Sequence, residues 1–324
     1  MNFPLIEEMV AYINNLHALH NRFYFTMTSN GVLLDKYADF LAKHKIQLLI
    51  SLDGNERNNS YRVTKKGDPS FDLIVENIEK LRQKYPDYYD KHVNFNAVFH
   101  NRNSVAEIHR FFKEKFQKFP AVRQLSTSGI NEDRKKEFWS MYANVNDSLK
   151  EAEDYSVIER EMMTKLPDSE NLSFFLQYNC SFTFNDYNQL LSRDSDYLIR
   201  PSGTCFPFAK KLFVTAKGLL LPCEKISFHH NFGQVKGDRV ELDFEEIAAR
   251  YNKMYNRIIP MCSHCFNNYA CLQCLFHLSK DNSLSSCQGF MTVEEYQSSI
   301  SEVVSYSAEN PDIYTSIMRD VVVG

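Results

Sequence analysis

The sequence predicts an α/β protein in which strands and helices alternate, followed by a small domain rich in cysteine. Strand-like and helix-like segments follow one another through the first 128 residues. Seven of the eight cysteines lie between residues 205 and 287. Alternating strands and helices form parallel βα units, arranged as an open sheet or as a barrel. The densely spaced cysteines predict a metal-binding domain that follows this α/β part of the chain.

Each element is predicted from its own pattern. Leu5, Ile6, Met9, Val10 and Ile13 share one helical face, and Pro4 is tolerated in the first turn. Strands are predicted at 22–29, 46–53, 93–100 and 122–127, and helices at 33–43, 71–81, after Ser104, at 293–307 and at 312–319. The nearly continuous apolar run at 46–53 predicts a strand covered on both faces. Ser104 and Glu107 have capping-box spacing, and Trp139 and Met141 are expected to face the core.

Polar residues follow the predicted strands, at 28–31, 51–54, 100–101 and 126–128. In parallel α/β folds, binding groups collect at the carboxyl ends of the strands, so these residues predict a small-molecule site. Ordinary turns are the alternative interpretation, since Asn-Gly and Asp-Gly are common turn dipeptides.

The composition excludes several classes of protein. A chain of 324 residues with 44% hydrophobic and 24% charged residues is typical of soluble globular proteins. A formal net charge of −4 gives no reason to expect nucleic acid or an acidic membrane as partner. The sequence shows neither a secretory signal nor a run of about 20 apolar residues. We therefore expect a cytoplasmic protein whose reduced cysteines bind metal.

The cysteine spacing leaves three interpretations. The series is Cys205-x12-Gly218-x4-Cys223, then Cys262-x2-Cys265-x5-Cys271-x2-Cys274, and finally Cys287. Disulfides would require export, and zinc ribbons usually separate their pairs by more than five residues. Iron–sulfur clusters take four thiolates each, and the spacing favours them over zinc without excluding zinc. Gly218 predicts the turn of a β-hairpin that carries Cys223.

This cysteine series resembles the SPASM domain, the auxiliary-cluster module of radical S-adenosylmethionine (SAM) enzymes that modify peptides and proteins. In that family a partial (β/α)6 barrel precedes the cysteine module. Thr28-Ser29-Asn30-Gly31, Ser51-Leu52-Asp53-Gly54, Arg62-x4-Gly67 and Ser70-Phe71 also resemble barrel motifs of the family. The resemblance covers about residues 2–129 and 201–290.

The resemblance implies four parts and two auxiliary [4Fe–4S] clusters. The parts are a barrel lacking its first strands at 1–129, a helical insertion and bridge at 130–200, a SPASM domain at 201–290 and C-terminal helices at 291–324. Cys262, Cys265, Cys271 and Cys287 would hold the outer cluster. Cys205, Cys223 and Cys274 would hold the inner cluster, with Cys180 or a substrate thiolate as its fourth ligand.

The resemblance also implies an enzyme that modifies a ribosomally synthesised peptide by radical chemistry, with SAM as cofactor and flavodoxin or ferredoxin as electron donor. By motif match, Asn30, Ser51, Asp53 and Arg62 would contact SAM. Their alternative roles are turn capping for Asn30 and Asp53 and a surface charge for Arg62. Thioether formation is the favoured reaction, and formylglycine formation, as in anaerobic sulfatase maturases, is the near alternative.

The sequence departs from the family pattern in two places. Two residues separate Cys271 from Cys274, where the family usually has three. No cysteine precedes Cys180, so the Cys-x3-Cys-x2-Cys loop of the SAM cluster is missing, as is the Gly-Gly-Glu-Pro segment. We therefore expect a truncated maturase whose full-length form carries SAM and a third [4Fe–4S] cluster. A noncatalytic peptide-binding protein, with iron or zinc as a structural staple, is the rival interpretation.

Overall fold

A computed structural model describes most of the chain in two compact units, residues 1–170 and 171–324. The described residues are 3–16, 22–64, 66–125, 132–162, 172, 207–208, 211–268, 271, 273–278, 287, 289–312 and 314–315. Each unit is treated by itself below. The finer division into four parts stays a prediction.

The first unit is built on a parallel sheet with strand order β1-β2-β3-β4. The strands are β1 Thr26–Ser29, β2 Gln47–Ser51, β3 Val93–Phe99 and β4 Ala121–Gln124. The helices are α1 Phe3–Asn14, α2 Leu34–Lys43, α3 Phe71–Lys84, α4 Pro86–His92, α5 Val105–Phe116, α6 Lys135–Met141, α7 Val145–Lys150 and α8 Tyr155–Met162. Strands and helices therefore alternate as predicted.

The two faces of this sheet differ in burial. Leu48 and Ile50 on β2, and Phe95 on β3, are buried in one cluster with the apolar faces of α2, α3 and α5. The alternate residues Gln47 and Leu49 are only half-buried. Strand β2 is therefore less covered on its second face than its apolar sequence predicts. On β3 the exposed alternate residue, Asn94, is polar.

Two local predictions in this unit are corrected. Trp139 is 53% exposed, and none of the residues of helix α6 is buried. The prediction that Trp139 faces the core is therefore wrong. The Ser104 hydroxyl accepts a hydrogen bond from the Glu107 backbone N–H at 3.2 Å, as the capping box predicts. The Glu107 carboxylate instead accepts from Nδ2 of buried Asn58 at 3.2 Å.

The second unit joins a four-stranded antiparallel sheet to a long helix. Its strands are β5 Phe213–Val214, β6 Leu219–Leu221, β7 Gly233–Lys236 and β8 Arg239–Leu242, and its helices are α9 Phe244–Cys262, α10 Leu275–Leu278 and α11 Val293–Glu309. Gly218 turns the predicted hairpin with φ +78°. Of the helix predicted at 312–319, the structure describes only residues 312, 314 and 315. Within the described part of both units, no helix combines the length and apolar composition that a membrane crossing requires.

Candidate metal centre and strand-end site

Four of the predicted ligands surround one pocket in the second unit. Its lining includes Cys262, Cys265, Cys271 and Cys287, together with Met261, Asn268, Leu278, Gly289 and Phe290. The cavity that they enclose has a volume of about 10 Å³, which is room for about one water molecule. These are the cysteines that the resemblance assigns to the outer cluster.

Short backbone connections bring these cysteines together. Cys262 ends helix α9, and the Cys265 N–H donates to its carbonyl oxygen at 3.1 Å. The Phe266 N–H donates to the carbonyl of Met291 at 3.0 Å, and the Met291 N–H donates to Sγ of Cys265 at 3.4 Å. The segment that contains Cys287 is thereby held beside the turn after α9.

The electrostatics of the pocket disfavour bare thiolates. The pKa of Cys262 is raised to about 12, mainly by burial and in addition by charge repulsion from Cys271, Cys287 and Cys265. Thiolates gathered in this way need positive charge to hold them ionised, and metal supplies it. The backbone N–H that reaches Cys265 is a donor of the kind that supports metal-bound sulfur.

A single zinc ion and an iron–sulfur cluster place their cysteines differently. Within the described residues, no group of three or more His, Cys, Asp or Glu side chains is placed to hold one metal ion. A tetrahedral zinc would draw its sulfurs to about 2.3 Å from one centre. An iron–sulfur cluster puts its own iron and sulfide atoms between the thiolates, so its cysteines stand farther apart. The four cysteines that line the pocket are the number that one cluster takes.

The predicted ligands of the inner cluster are described only in part. Cys223 follows β6 and Cys274 precedes α10, and both are half-buried against the same apolar cluster. The Lys225 N–H donates to Sγ of Cys223 at 3.3 Å. Cys205 and Cys180 lie outside the described residues, so the inner ligand set stays a prediction.

In the first unit, the end of β2 carries a buried ion pair. Nε and Nη2 of Arg62 each donate to the Asp53 carboxylate at 2.7 Å. The backbone N–H of Val98 on β3 donates to the same carboxylate at 2.8 Å. The Asp53 side chain is 3% exposed and that of Arg62 is 26% exposed. The carboxylate is therefore enclosed by the protein, whereas the Arg62 side chain keeps some contact with solvent.

His100, at the end of β3, lies beside this ion pair. Its Nε2 is 3.9 Å from Oδ2 of Asp53. Burial lowers the pKa of His100 below its usual value, against an opposing effect of the Asp53 charge. We therefore expect a neutral imidazole at pH 7.

Buried asparagines surround the pair, and the sequence analysis did not identify them. Oδ1 of Asn59 accepts from the Asp53 backbone N–H at 3.2 Å, and Nδ2 of Asn103 donates to the Asp53 carbonyl at 3.3 Å. Nδ2 of Asn58 donates to the Arg102 carbonyl at 2.8 Å. Asn58 and Asn59 are almost fully buried. The run Asn55 to Asn59 after Asp-Gly was the available signal, but sequence alone does not separate buried from exposed asparagine.

The remaining strand-end residues take different positions. The Ser51 hydroxyl donates to Oδ1 of Asn96 on β3 at 3.0 Å, so it lies at the strand ends with Asp53. Oδ1 of Asn30 accepts from the Val32 N–H at 3.3 Å, which is a turn-capping contact on an exposed residue. The structure thus brings Ser51, Asp53 and Arg62 to the ends of adjacent strands and places Asn30 in the turn after β1. Residues 126–128 lie outside the described residues.

Comparison with solved structures shows that this fold is shared with the enzyme anSMEcpe. No protein-family model matches the sequence. Native anSMEcpe, an anaerobic sulfatase-maturating enzyme, with bound AdoMet and Kp18Cys peptide matches with a TM-score of 0.58 and 16% identity, over 98% of this chain and 82% of that chain. The same enzyme with bound AdoMet and Cp18Cys peptide matches with a TM-score of 0.56 and 17% identity, over 97% and 81%. The fold class predicted from the sequence is therefore confirmed.

Proposed function

We propose that the protein is a radical SAM/SPASM-type maturase that modifies a ribosomally synthesised peptide. The observation that carries this proposal is the set of four cysteines around one pocket, on a fold shared with a peptide-modifying enzyme. Solved structures of that enzyme contain AdoMet and bound peptide, which supports the same classes of ligand here.

The chain would hold two auxiliary [4Fe–4S] clusters in its second unit. Cys262, Cys265, Cys271 and Cys287 would bind the outer cluster. Cys205, Cys223 and Cys274 would bind the inner cluster. When bound, such clusters take up and pass on single electrons, which flavodoxin or ferredoxin would exchange with them.

The first unit would bind the amino-acid end of SAM. Arg62 uses Nε and Nη2 on Asp53 and its side chain is 26% exposed, so Nη1 would be the group that binds a carboxylate. The Ser51 hydroxyl lies at the same strand ends. Asp53 would act through Arg62 by fixing its orientation, and Asn30 would shape the turn. No cysteine of the sequence precedes Cys180, so the experiments below measure binding and cluster assembly.

Anaerobic reconstitution with iron and sulfide tests the cluster assignment. Two clusters would add about eight iron atoms per chain. We expect Cys262→Ser to lose about half of this iron, because one of the two clusters loses a ligand. His264→Ala is the matched control, since His264 is exposed between Cys262 and Cys265. A colourless protein with stoichiometric zinc would overturn the cluster assignment.

Calorimetric titration with SAM tests the first unit. We expect Arg62→Met to weaken SAM binding by about tenfold or more, the effect of losing a hydrogen bond to a charged group. Arg57→Met is the control, because the Arg57 side chain is 74% exposed. If the wild-type chain holds its iron but binds no SAM, the proposal that the first unit binds SAM is wrong. Of the two reactions to test with peptide, thioether formation comes first and formylglycine formation second.

A further inference from the structure

Asn268 occupies an unusual position in the cysteine pocket. It lines the pocket together with the four cysteines. Its Oδ1 is buried and has no hydrogen-bond partner among the described residues. Its Nδ2 donates to the Cys262 carbonyl at 3.4 Å, near the upper limit for a hydrogen bond.

A buried amide oxygen without a partner points to a missing group. Buried polar atoms are almost always paired, and an exception calls for a specific explanation such as an absent ion. The oxygen and nitrogen of an asparagine side chain exchange places when the amide rotates by 180°. That rotation would replace the long bond to the Cys262 carbonyl with a contact between two oxygens, and it would bring the NH₂ group to the unpaired position. The cysteine sulfurs share the pocket with Asn268, and they accept hydrogen bonds when they are ionised.

We propose that the Asn268 amide donates a hydrogen bond to a sulfur of the cluster held by Cys262, Cys265, Cys271 and Cys287. This inference rests on the cluster assignment in the proposed function. A donor to a cluster sulfur stabilises the reduced cluster, which carries one more negative charge, and so raises its reduction potential. Asn268 is thus a residue that sets the potential, and it is not a ligand. The Met291 N–H, which donates to Sγ of Cys265, would act in the same direction.

The potential of the reconstituted protein tests this inference. We expect Asn268→Leu, which keeps the side-chain shape and removes the donor, to keep its full iron content. Its reduction equilibrium should shift about tenfold toward the oxidised state, a potential about 59 mV lower for one electron. Only one of the two cluster transitions should move. Asn267→Leu is the matched control, because the neighbouring Asn267 is absent from the pocket lining.

A measurement on the wild-type protein removes the dependence on variant folding. With asparagine side chains labelled with ¹⁵N, pulsed EPR of the reduced cluster should detect a ¹⁵N coupling across the N–H···S bond. A full complement of iron with no ¹⁵N coupling, or with an unchanged potential in Asn268→Leu, would overturn the role of Asn268 and leave the cluster assignment standing. Failure of the wild-type chain to bind iron would overturn both.

Discussion

At the residue scale, the strand-end site depends on one buried carboxylate. Asp53 accepts hydrogen bonds from Arg62 on the loop after β2 and from the backbone of Val98 on β3. One side chain therefore joins a loop to a neighbouring strand. The carboxylate is buried and accepts three hydrogen bonds from the protein. The prediction that Asp53 contacts SAM stays a prediction, and the contact to Arg62 favours a role in orienting that guanidinium.

We predict that Asp53→Asn lowers the free energy of unfolding of the first unit by about 2–3 kcal/mol, because charged hydrogen bonds are lost and Arg62 is left unpaired. Urea denaturation measures this change. Asp238→Asn is the control, since the Asp238 side chain is 95% exposed, and its effect should stay within about 0.5 kcal/mol. In a double-mutant cycle, additive effects of Asp53→Asn and Arg62→Met would show that the pair does not stabilise the fold.

We predict that His100 makes the fold sensitive to mild acid. Burial lowers its pKa in the folded state, so the unfolded chain binds the proton first as the pH falls. The stability contributed by neutral His100 is complete above the unfolded pKa of about 6.5 and declines as the pH falls toward the lower folded pKa.

Melting temperatures at pH 7.5 and pH 5 measure this effect. His100→Asn should lose less stability over that interval than the wild type. His229→Asn is the control, since His229 is exposed. Equal losses in the wild type and in His100→Asn would show that His100 is not the responsible group.

At the element scale, the hairpin β5–β6 determines where Cys223 lies. Gly218 turns the chain with φ +78°, and β6 then runs into Pro222 and Cys223. A side chain at this glycine would place Cβ 2.9 Å from the Val235 carbonyl oxygen. The turn therefore requires glycine both for its conformation and for the close approach of β7.

We predict that Gly218→Ala costs more stability than Gly237→Ala. Both glycines have positive φ, which costs about 1–2 kcal/mol for other residues, but a Cβ at Gly237 meets nothing within 4 Å. The difference between the two variants isolates the contact with Val235. Thermal unfolding measures it, and iron content after reconstitution should fall in Gly218→Ala only. Equal unfolding temperatures would contradict the predicted contact.

At the scale of the whole molecule, the two units have different sources of stability. The first unit has a continuous apolar cluster formed by the sheet and its helices. The second unit has a smaller cluster in which Cys262 itself is a buried member. Metal binding in such a domain contributes directly to folding, because the site forms only in the folded state.

We predict that iron removal destabilises the second unit selectively. Hydrogen exchange of the reconstituted protein should show helix α9 exchanging faster after chelation, because its last residue is a ligand. Helix α3 of the first unit provides the internal control and should be unchanged. Faster exchange in α3 to the same extent would contradict the assignment of iron to the second unit alone.

Patterns of short range predicted much of this architecture. Alternating strand and helix periodicities predicted the parallel sheet, and Gly218 predicted the hairpin. These features depend on residues close in sequence, whose geometry the backbone dictates. The grouping of the thiols came from the family resemblance and not from these patterns. The proposed function depends more on the resemblance to a known family than on these patterns.

The sequence by itself determined the fold class and the presence of a cysteine-rich domain, because periodicity and spacing are local properties. Only the tertiary structure decided that Asp53 is used internally, that Trp139 is exposed and that Asn268 lies in the cysteine pocket. Each of these depends on which distant segments meet: Val98 beside Asp53, a helix without a buried face, and the segment around Cys287 beside the turn after α9. Such contacts set the burial and the hydrogen-bond partners of a residue. The local sequence around these residues therefore does not predict either.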